Sequence, residues 1–185
     1  MKKISFLLVF SVIFSAAFTQ TKYFTKSGNI SFYSVAEQEN IEAHSNRAVS
    51  IFEKETGAIE FSVLIKSFQF EKALMQEHFN ENYMESEKFP KANFKGNSEE
   101  LKKMDLTKDG TYTINVSGKL TIHGETKNIS TPMTFVVKSG IISATSEFKI
   151  LLKDYNIKIP SAVGKKIAEE ILIKINIKDY KVYEK

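Results

Sequence analysis

Apolar and polar residues alternate along most of this chain with the period of β-strands. The clearest run is GTYTINVSGKLTI at 110–122. Tyr112, Ile114, Val116, Leu120 and Ile122 fall on one face, and Thr111, Thr113, Asn115, Ser117, Lys119 and Thr121 on the other. Successive strand side chains point to opposite faces, so this pattern predicts a strand with one buried and one wet face. EILIKINIK repeats it through Ile171, Ile173, Ile175 and Ile177, and IEFSVLIK through Ile59, Phe61, Val63 and Ile65. PMTFVVK contributes Met133, Phe135 and Val137, and IISATSEFKI contributes Ile142, Ala144, Phe148 and Ile150. With shorter candidates at 28–35, 47–54 and 92–97, the chain predicts about eight strands.

Turn signals join these runs. Ser139-Gly140 reads as a two-residue hairpin pairing Val137 with Ile142, both on inward faces. His123-Gly124 suits a second such turn, because glycine adopts positive φ freely and histidine does so more readily than most residues. Glu55-Thr56-Gly57 reads as a three-residue loop placing Ile51 opposite Phe61 and Val49 opposite Val63. Long amphipathic strands with few helices bury one face by closing, and an up-and-down antiparallel barrel does so without exposed edges.

One segment departs from the alternation. Between residues 70 and 83, Leu74, Met75, Phe79 and Tyr83 recur at helical spacing. Pro90 then ends any helix and returns the chain to strand at ANFKGN. The expectation is one helix packed across the barrel as a plug or lid.

Composition narrows the class. The N-terminus MKKISFLLVFSVIFSAAFTQ has a basic start, an apolar run and small residues, the pattern of a secretory signal peptide over 1–19, cleaved after Ala17 or Thr19. That leaves 20–185 as one domain, periplasmic or secreted, with no membrane span after cleavage. Cysteine is absent, so stability must come from the core. Loss of Lys2 and Lys3 lowers the formal net charge from +4 to +2, and Arg47 is the single arginine. Near-balanced charge and one arginine argue against nucleic acid as a partner.

No catalytic signature stands out. There is no H-E-x-x-H, G-x-S-x-G or phosphate-binding glycine loop. His78 and Glu81 are spaced like two metal ligands on a helix, but no third ligand accompanies them, so no metal site is assigned. The expectation is a non-enzymatic protein that requires no cofactor.

Three stretches resemble the YceI-like family. LMQEHFNENYMESEKFPKANFKG is similar to its helix-to-strand segment through His78, Phe79, Tyr83, Phe89, Pro90 and Phe94. GKLTIHGETKNIS resembles a second signature through Leu120, Thr121, Ile122, His123, Gly124, Thr126 and Lys127. FKILLKDYNI resembles a late strand and turn at Asp154 and Tyr155. The chain departs at its N-terminus, where KYFTKSGNISFYS replaces a Trp-containing opening, and at Leu152–Asn156, which lacks an Arg-x-Asp form. The resemblance implies an exported, lipocalin-like antiparallel barrel that binds polyisoprenoid chains.

A barrel of this size either fills itself or holds one small ligand. The resemblance selects the second: a carrier or storage module for a long-chain apolar lipid, a polyisoprenoid or isoprenoid quinone. The alternative is a structural or interaction protein of the cell envelope with a self-filled barrel. The inward faces and the helix give the expected tunnel lining: Phe61, Val63, Met75, Phe79, Phe94, Ile114, Val116, Phe135, Phe148, Ile173 and Ile175. Either a monomer or a homodimer is compatible with these features.

Overall fold

A computed structural model describes residues 21–183; the signal segment expected at 1–19 lies outside them. The strands are β1 (Lys22–Val35), β2 (Asn40–Glu53), β3 (Ala58–Leu64), β4 (Gln69–Phe70), β5 (Lys91–Asn97), β6 (Gly110–Ile122), β7 (Glu125–Lys138), β8 (Ile141–Leu151) and β9 (Glu170–Val182). One short helix, α1 (Ala73–His78), follows β4. All pairings are antiparallel, in the order β1-β9-β8-β7-β6-β5-β3-β2, and β2 pairs back onto β1. The result is a closed eight-stranded barrel, with the two residues of β4 added on β2.

Two hairpins follow the sequence pattern. Val137 pairs with Ile142 across Ser139 (φ 51°) and Gly140 (φ 78°). Ile122 pairs with Glu125 across His123 (φ 51°) and Gly124 (φ 79°). Both central residues have positive φ, the turn whose twist matches that of the flanking strands.

The β2–β3 hairpin corrects the expected register. Its loop has four residues, 54–57, closed by the Gly57 amide donating to the Glu53 carbonyl at 2.9 Å. Ile51 pairs with Glu60 and Ser50 with Phe61. A one-residue slip exchanges the faces of a strand. Accordingly Ala48, Ser50 and Phe52 point inward, while Val49 is 44% exposed. The inward face of β2 is largely small or polar, so the sequence offered little contrast to read. β1 is longer than expected for a related reason: irregularities around Gly28 interrupt its alternation. A Cβ at Gly28 would lie 2.5 Å from Ile177 Cδ1, so β1 runs close against the interior there.

The barrel is solid at one end. Phe52, Ile59, Phe135 and Ile177 are at most 1% exposed. Phe52 contacts Tyr180 and Phe135 edge-on, with ring centroids 4.9 and 5.4 Å apart, and stacks on Tyr23 at 4.8 Å. Leu101 and Met104, in the β5–β6 connection, pack into the same cluster. Burying a large apolar side chain contributes about 1.5–3 kcal/mol, so this layer is a main source of stability in a chain without disulfides. The Tyr180 hydroxyl shares a 2.8 Å hydrogen bond with Ser50 Oγ, and burial raises its pKa well above the usual phenol range.

At the other end β7 and β8 part. Their pairing runs from Lys138↔Ile141 to Met133↔Ser146 and stops. Pro132, which lacks an N–H, follows on the β7 side. The 3₁₀ turn Leu152–Tyr155 folds back toward β7. His123 Nδ1 donates to the Tyr155 carbonyl at 3.1 Å, and Asn156 Nδ2 donates to Glu125 Oε1 at 2.7 Å. His123 Nε2 lies 3.3 Å from Glu85 Oε2 but off hydrogen-bonding alignment. Phe89 stands edge-on to the His123 ring at 4.6 Å. The three stretches that carry the family resemblance therefore meet around His123.

Candidate functional site: an apolar chamber in the open half of the barrel

The helix is held by its partners. Six residues are too few to be stable alone, and α1 has no side-chain N-cap. It continues into a π turn, Phe79–Tyr83, where the Met84 amide donates five residues back to the Phe79 carbonyl at 2.9 Å. Phe79 sits among Phe32 of β1, Phe68 and Phe70, with ring centroids 5.0–5.9 Å apart. The Gln76 side chain accepts from the Phe70 amide at 3.3 Å, and Lys72 Nζ reaches Glu39 at 3.0 Å. That hydrogen bond raises the lysine pKa above its ordinary value.

Between this cover and the solid layer lies a cavity of about 470 Å³, within the range of about 300–1,000 Å³ usual for small-molecule sites. Its floor is formed by Phe61, Phe94, Val116, Met133 and Ile175. The next inward residues, Ile59, Ile114, Phe135 and Ile177, belong to the packed core below and do not line it. Ile30, Phe32, Val63, Phe148, Ile150 and Ile173 line the walls, and Met75, Phe79, Tyr83 and Met84 line it from the cover. The connection between β8 and β9 adds Ile157, Val163 and Ile167 at the rim. It is tied to β1 by the Ala168 amide, which donates to Ser34 Oγ at 2.8 Å.

Polar lining is sparse and sorted by depth. Glu39, Lys72, His78 and Lys166 lie at the mouth, on the β1–β2 turn, the cover and the β8–β9 connection. In the wall, Ser62 Oγ donates to Asn93 Oδ1 at 2.8 Å. Near the floor, Ser146 Oγ donates to the Pro132 carbonyl at 2.7 Å and lies 3.2 Å from Thr131 Oγ1. These deep hydroxyls are thus satisfied by the protein itself. Among the described residues, no group of three or more His, Cys, Asp and Glu is placed to hold a metal ion.

Of the residues expected to line a tunnel, Phe61, Val63, Met75, Phe79, Phe94, Val116, Phe148, Ile173 and Ile175 surround this cavity. Ile114 and Phe135 do not: they point inward but lie below the floor. Alternation reveals which way a side chain points and not how deep it lies along the barrel axis. Leu74, on the expected apolar stripe of the helix, is at the rim and 60% exposed. Sequence reasoning missed Ile30, Phe32, Phe68, Phe70 and Met84. Phe32 was visible in a strand candidate, but Phe68 turns inward after the 3₁₀ turn Ile65–Ser67, which carries no sequence signal. Met84 is buried because the π turn shifts the helical spacing.

The fold and its half-hollow interior define a lipocalin-like barrel with an apolar chamber closed at one end. A model of the YceI-like domain matches residues 7–178, and the chain belongs to that family. A search of curated proteins found no match. Among solved structures, the chain is similar to a polyisoprenoid binding domain from Saccharophagus degradans implicated in plant cell wall breakdown. That likeness has 13% identity and a TM-score of 0.74, covering 89% of this chain and 100% of that one. It is also similar to Burkholderia cenocepacia BcnA (16% identity, TM-score 0.65, 81% and 94% covered). A Campylobacter jejuni YceI protein is similar at 17% identity and a TM-score of 0.51, over 100% of both chains. At these identities the likeness concerns the fold.

Proposed function

We propose that the protein is exported and holds one long apolar chain, a polyisoprenoid or an isoprenoid quinone, in the hollow half of its barrel, as a carrier or store. The observation that carries this reading is the chamber of about 470 Å³, apolar at floor and wall and polar only at its mouth. That unfilled space weighs against a self-filled barrel. The ligand class is suggested by the Saccharophagus neighbour, described as a polyisoprenoid binding domain. Export is suggested by the signal-peptide pattern at 1–19.

The physics of such binding is simple. Each methylene removed from water contributes about 0.8 kcal/mol. About 4–15 kcal/mol of lost translational and rotational freedom opposes it. A chain of a dozen or more carbons is therefore needed for useful affinity, and no directional chemistry at the floor is required. Organic extracts of protein purified from its native source, analysed by mass spectrometry, should contain a prenyl lipid. Delipidated protein should bind a fluorescent polyprenyl probe. Absence of both the lipid and probe binding would refute the reading.

A further inference from the structure

We infer that His123 is a proton-operated latch for the cover. With Nε2 protonated it holds Glu85 and fastens one side of the cover to the mouth of the barrel; with Nε2 bare it lets that side go. The latch itself follows from contacts within the protein. Its use, to set when the chamber exchanges its occupant, rests on the binding reading above.

The Tyr155 carbonyl, 3.1 Å from His123 Nδ1, can only accept a hydrogen bond. The single proton of a neutral imidazole is therefore held on Nδ1, and Nε2 keeps a lone pair. That nitrogen is shut off from water and has no hydrogen-bond partner. Its neighbour, 3.3 Å away, is Glu85 Oε2, which is also only an acceptor when ionised. Two acceptors thus face each other until one proton arrives. The proton turns them into a charge-assisted pair, among the stronger hydrogen bonds a protein makes. The Glu85 side chain is half exposed, so its carboxylate can turn into line. Without the proton it has another partner, Lys88 Nζ, at 3.8 Å on the same turn. Glu85 therefore has two places to go, and protonation of His123 chooses between them.

The other charged and titratable groups of the packed segments have partners of their own or face solvent. Glu87 pairs with Lys66, Lys88 also lies over the Phe89 ring at 4.8 Å, and Glu125 accepts from Asn156. Lys127, Lys153 and Asp154 are exposed. Burial raises the Tyr155 phenol to about 12, so it stays neutral across the range of about pH 5–8 in which imidazole titrates. His78, on α1, lies at the mouth.

The contact is placed to transmit a change. Glu85 (φ 43°), His123 (φ 51°) and Asn156 (φ 55°) are three of the four non-glycine residues with positive φ among the described residues. They meet here from the cover, the β6–β7 hairpin and the β8–β9 connection. Strained backbone of this kind gathers at switch regions. The Glu85 carbonyl accepts from the Lys88 and Phe89 amides at 2.8 and 2.9 Å, and the Ser86 amide donates to the Asn80 carbonyl at 2.8 Å. Glu85 is thus tied to the π turn, which sets Phe79, Tyr83 and Met84 against the chamber. At its other end the cover is held by Lys72 on Glu39, a pair without an imidazole.

Hydrogen exchange on delipidated protein at about pH 5.5 and about pH 8, either side of the ordinary imidazole value, reads the latch without any ligand. Rates are corrected for the intrinsic rate at each pH. Protection of the Ser86, Lys88 and Phe89 amides should be about ten-fold greater at the lower pH, the size expected of a hydrogen bond to a charged group. Amides of the β7–β8 hairpin, at the opposite end, should keep one value. His123→Asn tolerates the positive φ and retains a donor for the Tyr155 carbonyl, but has nothing at the Nε2 position. It leaves His78 in place and should show low protection at both pH values. Glu85→Gln offers a neutral donor to the bare Nε2 and should show high protection at both. Equal protection of the unmutated protein at the two pH values, or a pH dependence that survives in either variant, overturns the latch. A fluorescent polyprenyl probe should leave the unmutated protein more slowly at the lower pH by a similar factor, and leave Glu85→Gln at one rate. Release that ignores pH while exchange responds overturns the part of the latch in ligand exchange. A probe that never binds counts against the binding reading instead, and the exchange result alone then decides the latch.

Discussion

Two glycines in this barrel offer a matched experiment. Gly124 and Gly140 occupy the same position of the same kind of hairpin, with φ of 79° and 78°, each after a residue at φ 51°. Their surroundings differ. A Cβ built at Gly140 has nothing within 4 Å, whereas one at Gly124 lies 2.6 Å from Phe89 Cε1. Alanine at Gly140 should therefore cost only the left-handed conformation, about 1–2 kcal/mol. Alanine at Gly124 should cost that plus the overpacking of a held ring, about 1–3 kcal/mol more. Phe89 cannot easily yield, because its ring packs against His123 at 4.6 Å. Urea unfolding of the two variants should give equal slopes and different midpoints, with Gly124→Ala the weaker. In a Phe89→Ala background the difference between them should vanish, which a double-mutant cycle measures directly. Equal costs in the parent background would refute the claim that Phe89 is fixed against the hairpin.

Further outcomes follow from the division of the barrel. Phe52→Ala should cost about 3–5 kcal/mol, as for a fully buried phenylalanine, whereas the partly exposed Phe79 should cost clearly less and alter probe binding instead; equal losses in urea unfolding would contradict this. Tyr180→Phe should cost about 1–3 kcal/mol, because the buried Ser50 hydroxyl loses its partner. Burial pushes the Tyr155 phenol up to about 12, so its contribution is complete below the unfolded phenol value near 10 and lost as pH climbs through about 12. Alkaline unfolding followed by circular dichroism should therefore be shallower in Tyr155→Phe over that window. Intact-mass measurement of exported protein should reveal loss of about 17–19 residues, following the signal-peptide pattern.

Strands whose inward face is uniformly bulky could be read from sequence alone. β6 and β9 carry Ile, Val, Leu and Tyr inward against Thr, Asn and Lys outward, and both hairpins with a two-residue positive-φ turn were legible in their Gly-containing pairs. β2 resisted because Ala43, Ser45, Ala48 and Ser50 face inward, so its hydrophobic pattern pointed to the wrong face. The helix was visible as spacing, but its π turn was not, since one extra residue in a turn leaves composition unchanged. Of the residues that line the cavity, those in the walls were legible through strand period. Ile114 and Phe135 were misplaced because depth depends on which barrel end is filled, and that is decided by β2 and β9 together through Phe52 and Tyr180.

The split between a packed half and a hollow half has a consequence for how this protein can change. Residues that surround the chamber have open space on one side, so substitutions there forfeit fewer packing contacts than those in the layer below. The recognition surface is thereby partly uncoupled from the foundation that keeps the chain folded. Such a barrel can trade one occupant for another through a few side chains at 61, 79 or 175 without crossing its threshold of stability. The same frame can thus be re-tailored, by selection or by design, in the half that matters for binding.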